Sequence, residues 1–447
     1  MRLIPAGLRA LFSRALVRAG VVTYLFSALT LVANLVSGVI SARALGPDGR
    51  GVTVALTTVS QLAGFLFAMG VAQSLSYFIA RRPEDGPRLL STWLLLLLPL
   101  AAVAIAISEL LLPTIFAVDG EQAIQVGRWF LFSIVLVIGL ELNYGLLLGA
   151  HDFFVYNVLR LAQPTLMAVS FLVLWPLDAL TVESALIAPT AGTALVLAIG
   201  MARSVQRIGV GPPALGLGLT TLWFGVRGQG ATVANHVTAR LDVAMLPAFV
   251  APAGVGLYSV ATNVSLIVYQ LSNAFAALVL PAAARDARRG AIKVVGSFWA
   301  ALAIAGVVAL GLALFARPLV SFVYGDEFSG AVTSLRLLLP GAVAFAGASI
   351  LSAGIYAAGK PFTATLTQLI GMVVTVIGLS LFLRSGGVTA AALVSTASYT
   401  TVFIATLLAY KAVSGIPWRG LLPTPRHLRA LAQDLPTPQE PPPGRPR

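Results

Sequence analysis

The stretch R-G-Q-G-A-T-V-A-N-H-V-T-A-R-L-D-V-A-M-L-P, Arg227 to Pro247, decides the fold class. It reads as a membrane-spanning helix, yet it carries His236, Arg240 and Asp242 near its middle. Ionisable side chains at membrane depth are costly, so they face a protein interior or a wet cavity rather than lipid. The first apolar segment of the chain repeats its local wording: Val32-Ala33-Asn34 there, Val233-Ala234-Asn235 here. Two related halves, facing one another across a polar cleft, follow from that pairing.

Working outward, apolar runs of about 20 residues, the length a helix needs to cross a bilayer, recur from end to end. Of the 447 residues 58% are hydrophobic and 10% charged, far from a soluble globular composition. Strand-type alternation is absent, which argues against a barrel. With no cysteine, disulfides and cysteine-ligated metals are excluded. The formal net charge of +13 would point to nucleic acid in a soluble protein. In a membrane protein it marks loops held in the cytoplasm, so no nucleic-acid partner is expected.

Twelve spans are expected: 21–44, 51–80, 89–113, 125–149, 154–176 and 182–203, then 221–248, 255–284, 294–316, 331–357, 362–384 and 388–412. Pro83, Gly86 and Pro87 break the chain after the second span, and Pro212 and Pro213 separate the halves. With the N-terminus in the cytoplasm, 21 of the 29 lysines and arginines fall on inner segments. Outside fall Arg43, Arg50, Arg128, Arg317, Arg336 and Arg384, while Arg227 and Arg240 lie within the seventh span. That asymmetry places both termini inside a multi-pass protein of the cell membrane.

The repeat continues beyond the first span. G-P-D-G-R-G (46–51) matches A-P-A-G-V-G (251–256), and A-L-I-A-P-T-A (185–191) resembles A-L-V-S-T-A-S (392–398). Six spans per half give both halves the same orientation, so a pseudo-two-fold axis runs along the membrane normal. The expected architecture is an all-α integral membrane protein. Residues 1–20 form a basic cytoplasmic segment (Arg2, Arg9, Arg14, Arg18), 21–210 the first six-helix lobe and 211–415 the second. Residues 416–447 form a proline-rich cytoplasmic tail, with eight prolines from Pro423 onward, expected to be disordered.

Candidate chemistry lies inside the spans. His236 and Arg240 are four apart and share a helix face; Asn235 and Asp242 form a second stripe roughly 120° away. One reading has Arg240 and Asp242 neutralise each other and lock the fold. The other has Arg240 bind an anionic headgroup, for which a forked guanidinium is suited, while Asp242 or His236 takes up a proton. Glu141 in the fourth span is a further proton-coupling candidate, or a structural hydrogen-bonding group. Thr30, Asn34, Ser37 and Ser41 line one face of the first span, as cavity lining or as glue between helices. Arg43 and Arg50 border the outer mouth, where they meet a phosphate or anchor the interface. Asn263, Gln270 and Asn273 in the eighth span, with Gln61 and Gln73 in the second, add polar groups suited to sugars. P-loop, zinc-protease and nucleophile-elbow signatures are missing and the histidines are isolated, so neither an enzyme nor a metal or cofactor site is expected.

Two segments carry a resemblance. A-R-A-L-G-P-D-G-R-G (42–51) runs on to Q-L-A-G-F-L-F-A-M-G-V-A-Q-S-L-S-Y-F-I-A-R-R (61–82), and L-L-L-G-A-H-D-F-F-V-Y-N-V-L-R-L spans 146–161. They resemble the polysaccharide biosynthesis (Wzx-type) oligosaccharide flippases of the multidrug/oligosaccharidyl-lipid/polysaccharide exporter superfamily. The resemblance implies a MATE-like fold, two lobes around a central cavity that opens alternately to each side. Its implied cargo is a polyprenyl-pyrophosphate-linked oligosaccharide, moved from the inner to the outer leaflet for surface polysaccharide assembly. Membrane lipids and polymerase or assembly enzymes are the implied partners. Arg240, Arg43 and Arg227 are the candidates for the pyrophosphate. Rival readings are a cation-coupled multidrug exporter, a lipid II flippase, which usually has fourteen spans, and a non-transporting scaffold for wall-polymer enzymes.

Overall fold

A computed structural model of the chain describes residues 6–118, 120–284 and 287–423, with side-chain environments for 26–118, 121, 123–270 and 293–423. The expected disordered tail beyond 423, Asn273 and the basic side chains of the first 20 residues lie outside this description. Every described element is helical. The first half holds α1 (Ala6–Phe67), α2 (Val71–Arg81), α3 (Gly86–Ile115), α4 (Gly120–Phe130), α5 (Ser133–Gly149), α6 (Phe153–Leu174) and α7 (Val182–Ile208). The second holds α8 (Leu215–Gly228), α9 (Gly230–Met245), α10 (Pro252–Ala284), α11 (Ala287–Leu314), α12 (Ala316–Tyr324), α13 (Ala331–Ala357), α14 (Pro361–Ser414) and α15 (Trp418–Leu421).

Among the described residues nine segments are long and apolar enough to cross a membrane. Two of them turn back on themselves. Within α1, Gly46 adopts φ 66°, a left-handed conformation open to glycine, and Pro47 starts the returning arm with its φ already helical. The Arg50 guanidinium then reaches the Gly38 carbonyl at 2.6 Å, although 12 residues of straight helix span about 18 Å. Within α14, Gly387 plays the same part, and Ser398 Oγ donates to the Gly371 carbonyl at 2.8 Å across 27 residues. Counting both arms of α1 and α14, and α8 with α9 as one interrupted pass, the described residues supply twelve helical passes, as many as the sequence leads one to expect.

Three passes differ from single helices. The second breaks between α1 and α2, where Met69 and Gly70 take positive φ, and the fourth breaks between α4 and α5. The seventh, expected as one helix, is interrupted at Gln229, which is flanked by two helix-weakening glycines and buried. Its two halves pack on different lobes. Thr221 on α8 accepts a hydrogen bond from Trp93 Nε1 at 3.0 Å, and Ala214 N donates to Thr92 Oγ1 at 2.8 Å, both partners lying on α3. Gly225 meets the backbone of Gly70. By contrast α9 packs chiefly on α14 and bonds through Asp242 to α10, while its His236 side meets α1 of the first lobe. The short amphipathic α12, between α11 and α13, did not stand out in the sequence.

The repeated P-x-G-x-G wording proves to be one contact made twice. A Cβ on Gly51 would lie 1.9 Å from the Pro252 carbonyl oxygen, and one on Gly256 would lie 2.0 Å from that of Pro47. Each glycine lets the other copy's backbone approach where no side chain fits. Around the crossing the largest buried apolar cluster joins the lobes, with Ala42, Ala55 and Leu56 from α1 against Val255, Tyr258 and Val260 from α10. A second cluster, including Leu75, Leu89, Trp93 and Leu142, fills the first lobe, and a third, including Val294, Phe298 and Ile350, fills the second.

Gly51→Ala should therefore lower the thermal midpoint in detergent, with an overpacking cost of about 1–3 kcal/mol. Gly216→Ala, where an added Cβ meets nothing within 4 Å, should leave it unchanged.

Candidate functional site: a cationic, aromatic cavity in the second lobe

Three neighbouring ionisable residues of α9 end in three environments. Asp242 is buried in the second lobe, where its carboxylate accepts hydrogen bonds from Tyr258 Oη (2.5 Å), Ser395 Oγ (2.8 Å) and the Val243 amide (2.7 Å). It ties together α9, α10 and the second arm of α14. His236 is exposed; its ring stacks on Phe65 of the second pass at 3.8 Å between centroids, and its Nδ1 lies 3.0 Å from the Thr232 carbonyl. Arg240 makes no hydrogen bond, ion pair or ring contact with a described residue. Arg240 and Asp242, whose pairing with each other or with a neighbour is one of the two readings of the sequence, form no ion pair with one another; the ion pairs among described residues are Arg128–Glu109 and Arg203–Asp152.

Arg240 instead lines a cavity of about 40 Å³ enclosed by α9, α10, α13 and α14. Asn235, Thr262 and Ser265 supply polar groups, and Tyr269, Phe345 and Tyr399 supply a wall of rings. Phe345 packs against both tyrosines, each at 4.8 Å between centroids. The volume admits a few waters. Arg240 is half-buried there, so its guanidinium can be met by water or by an anion entering the cavity. The cavity thus presents one fixed positive charge beside aromatic faces and hydroxyls.

The other sequence candidates lie elsewhere. Asn34 is exposed on the first arm of α1, and Ser37, buried, donates back to the Asn34 carbonyl. Asn263 is half-buried and Gln270 exposed, and neither lines the cavity. Arg227 ends α8 with its guanidinium 4.4 Å from the centre of the Trp223 ring. Arg43 donates to the carbonyls of Val323 (2.8 Å) and Phe322 at the C-terminus of α12, where the helix dipole favours a cation. Glu141 is half-buried in the first lobe; Arg160 on α6 is close enough to act on it electrostatically without forming an ion pair. Arg160 also lies over the Tyr156 ring, which meets Tyr144 edge-on. No contact among the described residues joins Arg43, Arg227 and Arg240 into one cluster.

Sequence reasoning missed Tyr258 and Ser395, which hold Asp242, and the three rings of the cavity. Ser395 is 153 residues from Asp242, and no local pattern announces that partnership.

No protein-family model and no curated protein matches the chain. Its fold, however, is that of solved transporter structures. It is similar to a lipid II flippase, MurJ, in an inward closed conformation, with a TM-score of 0.74 at 13% identity, covering 92% of this chain and 91% of that one. It is also similar to an inward-facing multidrug resistance MATE family transporter of the MOP superfamily (TM-score 0.67, 15% identity, 87% and 95% covered). A MATE structure in complex with MaL6 gives 0.57 at 14% identity, with 90% and 96% covered. The chain is a multi-pass, all-helical membrane protein with the two-lobed fold these proteins share, as its sequence leads one to expect. Identities this low establish the fold alone.

Removing one donor from Asp242 should destabilise the second lobe. Tyr258→Phe should cost roughly 1–3 kcal/mol, read as a lower thermal midpoint in detergent.

Proposed function

We propose that this protein is a flippase for polyprenyl-(pyro)phosphate-linked oligosaccharides, acting between the leaflets of the cell membrane by alternating access. The observation that carries the reading is the lone Arg240 guanidinium in a cavity walled by rings and hydroxyls. An amphiphilic cargo of this class has an anionic phosphate beside its sugars, and arginine's forked donors suit phosphate oxygens while aromatic faces suit sugar rings. The fold, similar to that of a protein named as a lipid II flippase, adds support. In this reading the lobes, 21–210 and 211–415, move relative to one another and open the cavity to each side in turn. The basic loops keep both termini cytoplasmic, Asp242, His236 and Glu141 are the candidates for proton coupling, and polymerase or assembly enzymes receive the product.

A lipid II cargo is the second reading, favoured by the likeness to MurJ; it needs the same cation and differs in the sugars. A drug exporter for cationic compounds is disfavoured by the cavity itself. Arg240 faces in, whereas Asp242 is turned away and saturated by donors.

Two measurements test the proposal. Headgroup accessibility of polyprenyl-pyrophosphate oligosaccharides should be confined to the inner face of vesicles lacking the protein and reach the outer face in those containing it. Equal accessibility with a matched cargo present would refute the flippase reading. Arg240→Ala should lose translocation at normal membrane abundance, with Arg240→Lys partly active. Full activity in the alanine variant would remove Arg240 from the site.

A further inference from the structure

The ten residues A-R-A-L-G-P-D-G-R-G (42–51) contain three charged side chains, and all three bond to the second lobe. Arg43 holds the last carbonyls of α12. Asp48 Oδ1 accepts from the Ala253 amide at 3.1 Å, so it caps the N-terminus of α10 from the opposite lobe. Arg50 Nε donates to Ser259 Oγ on α10 at 2.9 Å. Its Nη1 meanwhile donates to Ser41 Oγ at 2.7 Å and to the Gly38 carbonyl at 2.6 Å on the first arm of α1. Arg50 is 2% exposed, the largest buried cation described, and no carboxylate pairs with it.

Two features separate this arrangement from ordinary packing. The glycine crossing is symmetric, but the polar bonds are not: the second copy carries Ala253 and Val255 where the first has Asp48 and Arg50. Symmetry of the fold therefore does not require them. The acceptors of Arg50 are also hydroxyls and a carbonyl. A desolvated carboxylate would make separation cost a buried ion pair. Hydroxyl and carbonyl acceptors hold the guanidinium yet let it return to water when the lobes part.

We propose that Arg50, with Asp48 and Arg43, forms a reversible latch closing the 42–51 face over the Arg240 cavity, with the Arg50–Ser259 bond as its decisive contact. The proposal rests on the alternating-access reading but not on the nature of the cargo. By the loop charges, this is the outer face.

The natural absence of cysteine makes a clean test possible. Thr262 lines the cavity one turn along α10 from Ser259, so Thr262→Cys reports opening of this face to a membrane-impermeant maleimide applied outside intact cells. Ser259→Ala removes the bond across the lobes and Ser41→Ala one within the first lobe; each also removes that serine's donation to its own helix, to the Gly256 and Gly38 carbonyls respectively, so the two are matched controls. Ser259→Ala should raise the labelling rate of Thr262→Cys roughly tenfold, the effect of losing one hydrogen bond to a charged group, while Ser41→Ala labels at the parent rate. An unchanged rate in Ser259→Ala would overturn the latch. Equal acceleration by both variants would overturn it too, showing that Arg50 braces the first hairpin instead. Arg50→Ala should match or exceed Ser259→Ala, but the serine variant decides, since it keeps the buried cation in place. The labelling needs no cargo, so its failure and failure of the flippase reading are separate results.

Discussion

The architecture depends on a close approach of two backbones. Pro47 and Pro252 each start a helical arm, and one turn later each arm carries a glycine, Gly51 and Gly256, against the other's proline carbonyl. In a membrane, apolar side chains gain little by leaving lipid for protein. Association then rests on close packing, which small residues permit. A methyl group at either glycine would collide with a carbonyl, so the two lobes share a contact as tight as any within them. Everything else at that face, the apolar cluster from Ala42 to Tyr258 and the polar bonds of Asp48 and Arg50, is arranged around this crossing.

Because the crossing is made by the two copies of one motif, it sits where the pseudo-symmetry axis must pass. The seventh pass follows from the same division. Its first half, α8, is bonded to α3 of the first lobe, whereas its second half, α9, is bonded into the second lobe by Asp242. The interruption at Gln229 lies between those two allegiances. The helix that brings the candidate cation to its cavity is thus fixed to one lobe at one end and to the other at the opposite end.

The α9 residues show how far local pattern reaches. Periodicity correctly makes one side of this helix polar. It cannot rank His236, Arg240 and Asp242, because their roles depend on what other helices bring to them: Phe65 for His236, Tyr258 and Ser395 for Asp242, and three aromatic rings around the cavity for Arg240. Arg50 is the sharper case. By position it belongs with the basic residues of the outer loops, yet Gly46 folds the arm back and packing against α10 buries it.

What the sequence by itself determined is the membrane-spanning class, the number of passes, the two-fold internal repeat and the stretch where polar chemistry lies. Each of these is local: a run of apolar residues is costly to leave in water, and a repeated glycine-proline wording is visible without knowing its partner. Only the tertiary structure decided which copy meets which, which charges are bonded between the lobes and which lines a cavity. Those outcomes depend on contacts between residues from 16 to 280 positions apart, as in Asp242 with Tyr258 and Arg43 with Val323. Contacts of that kind arise when whole helices pack, and a side chain's own neighbours in sequence carry no record of them.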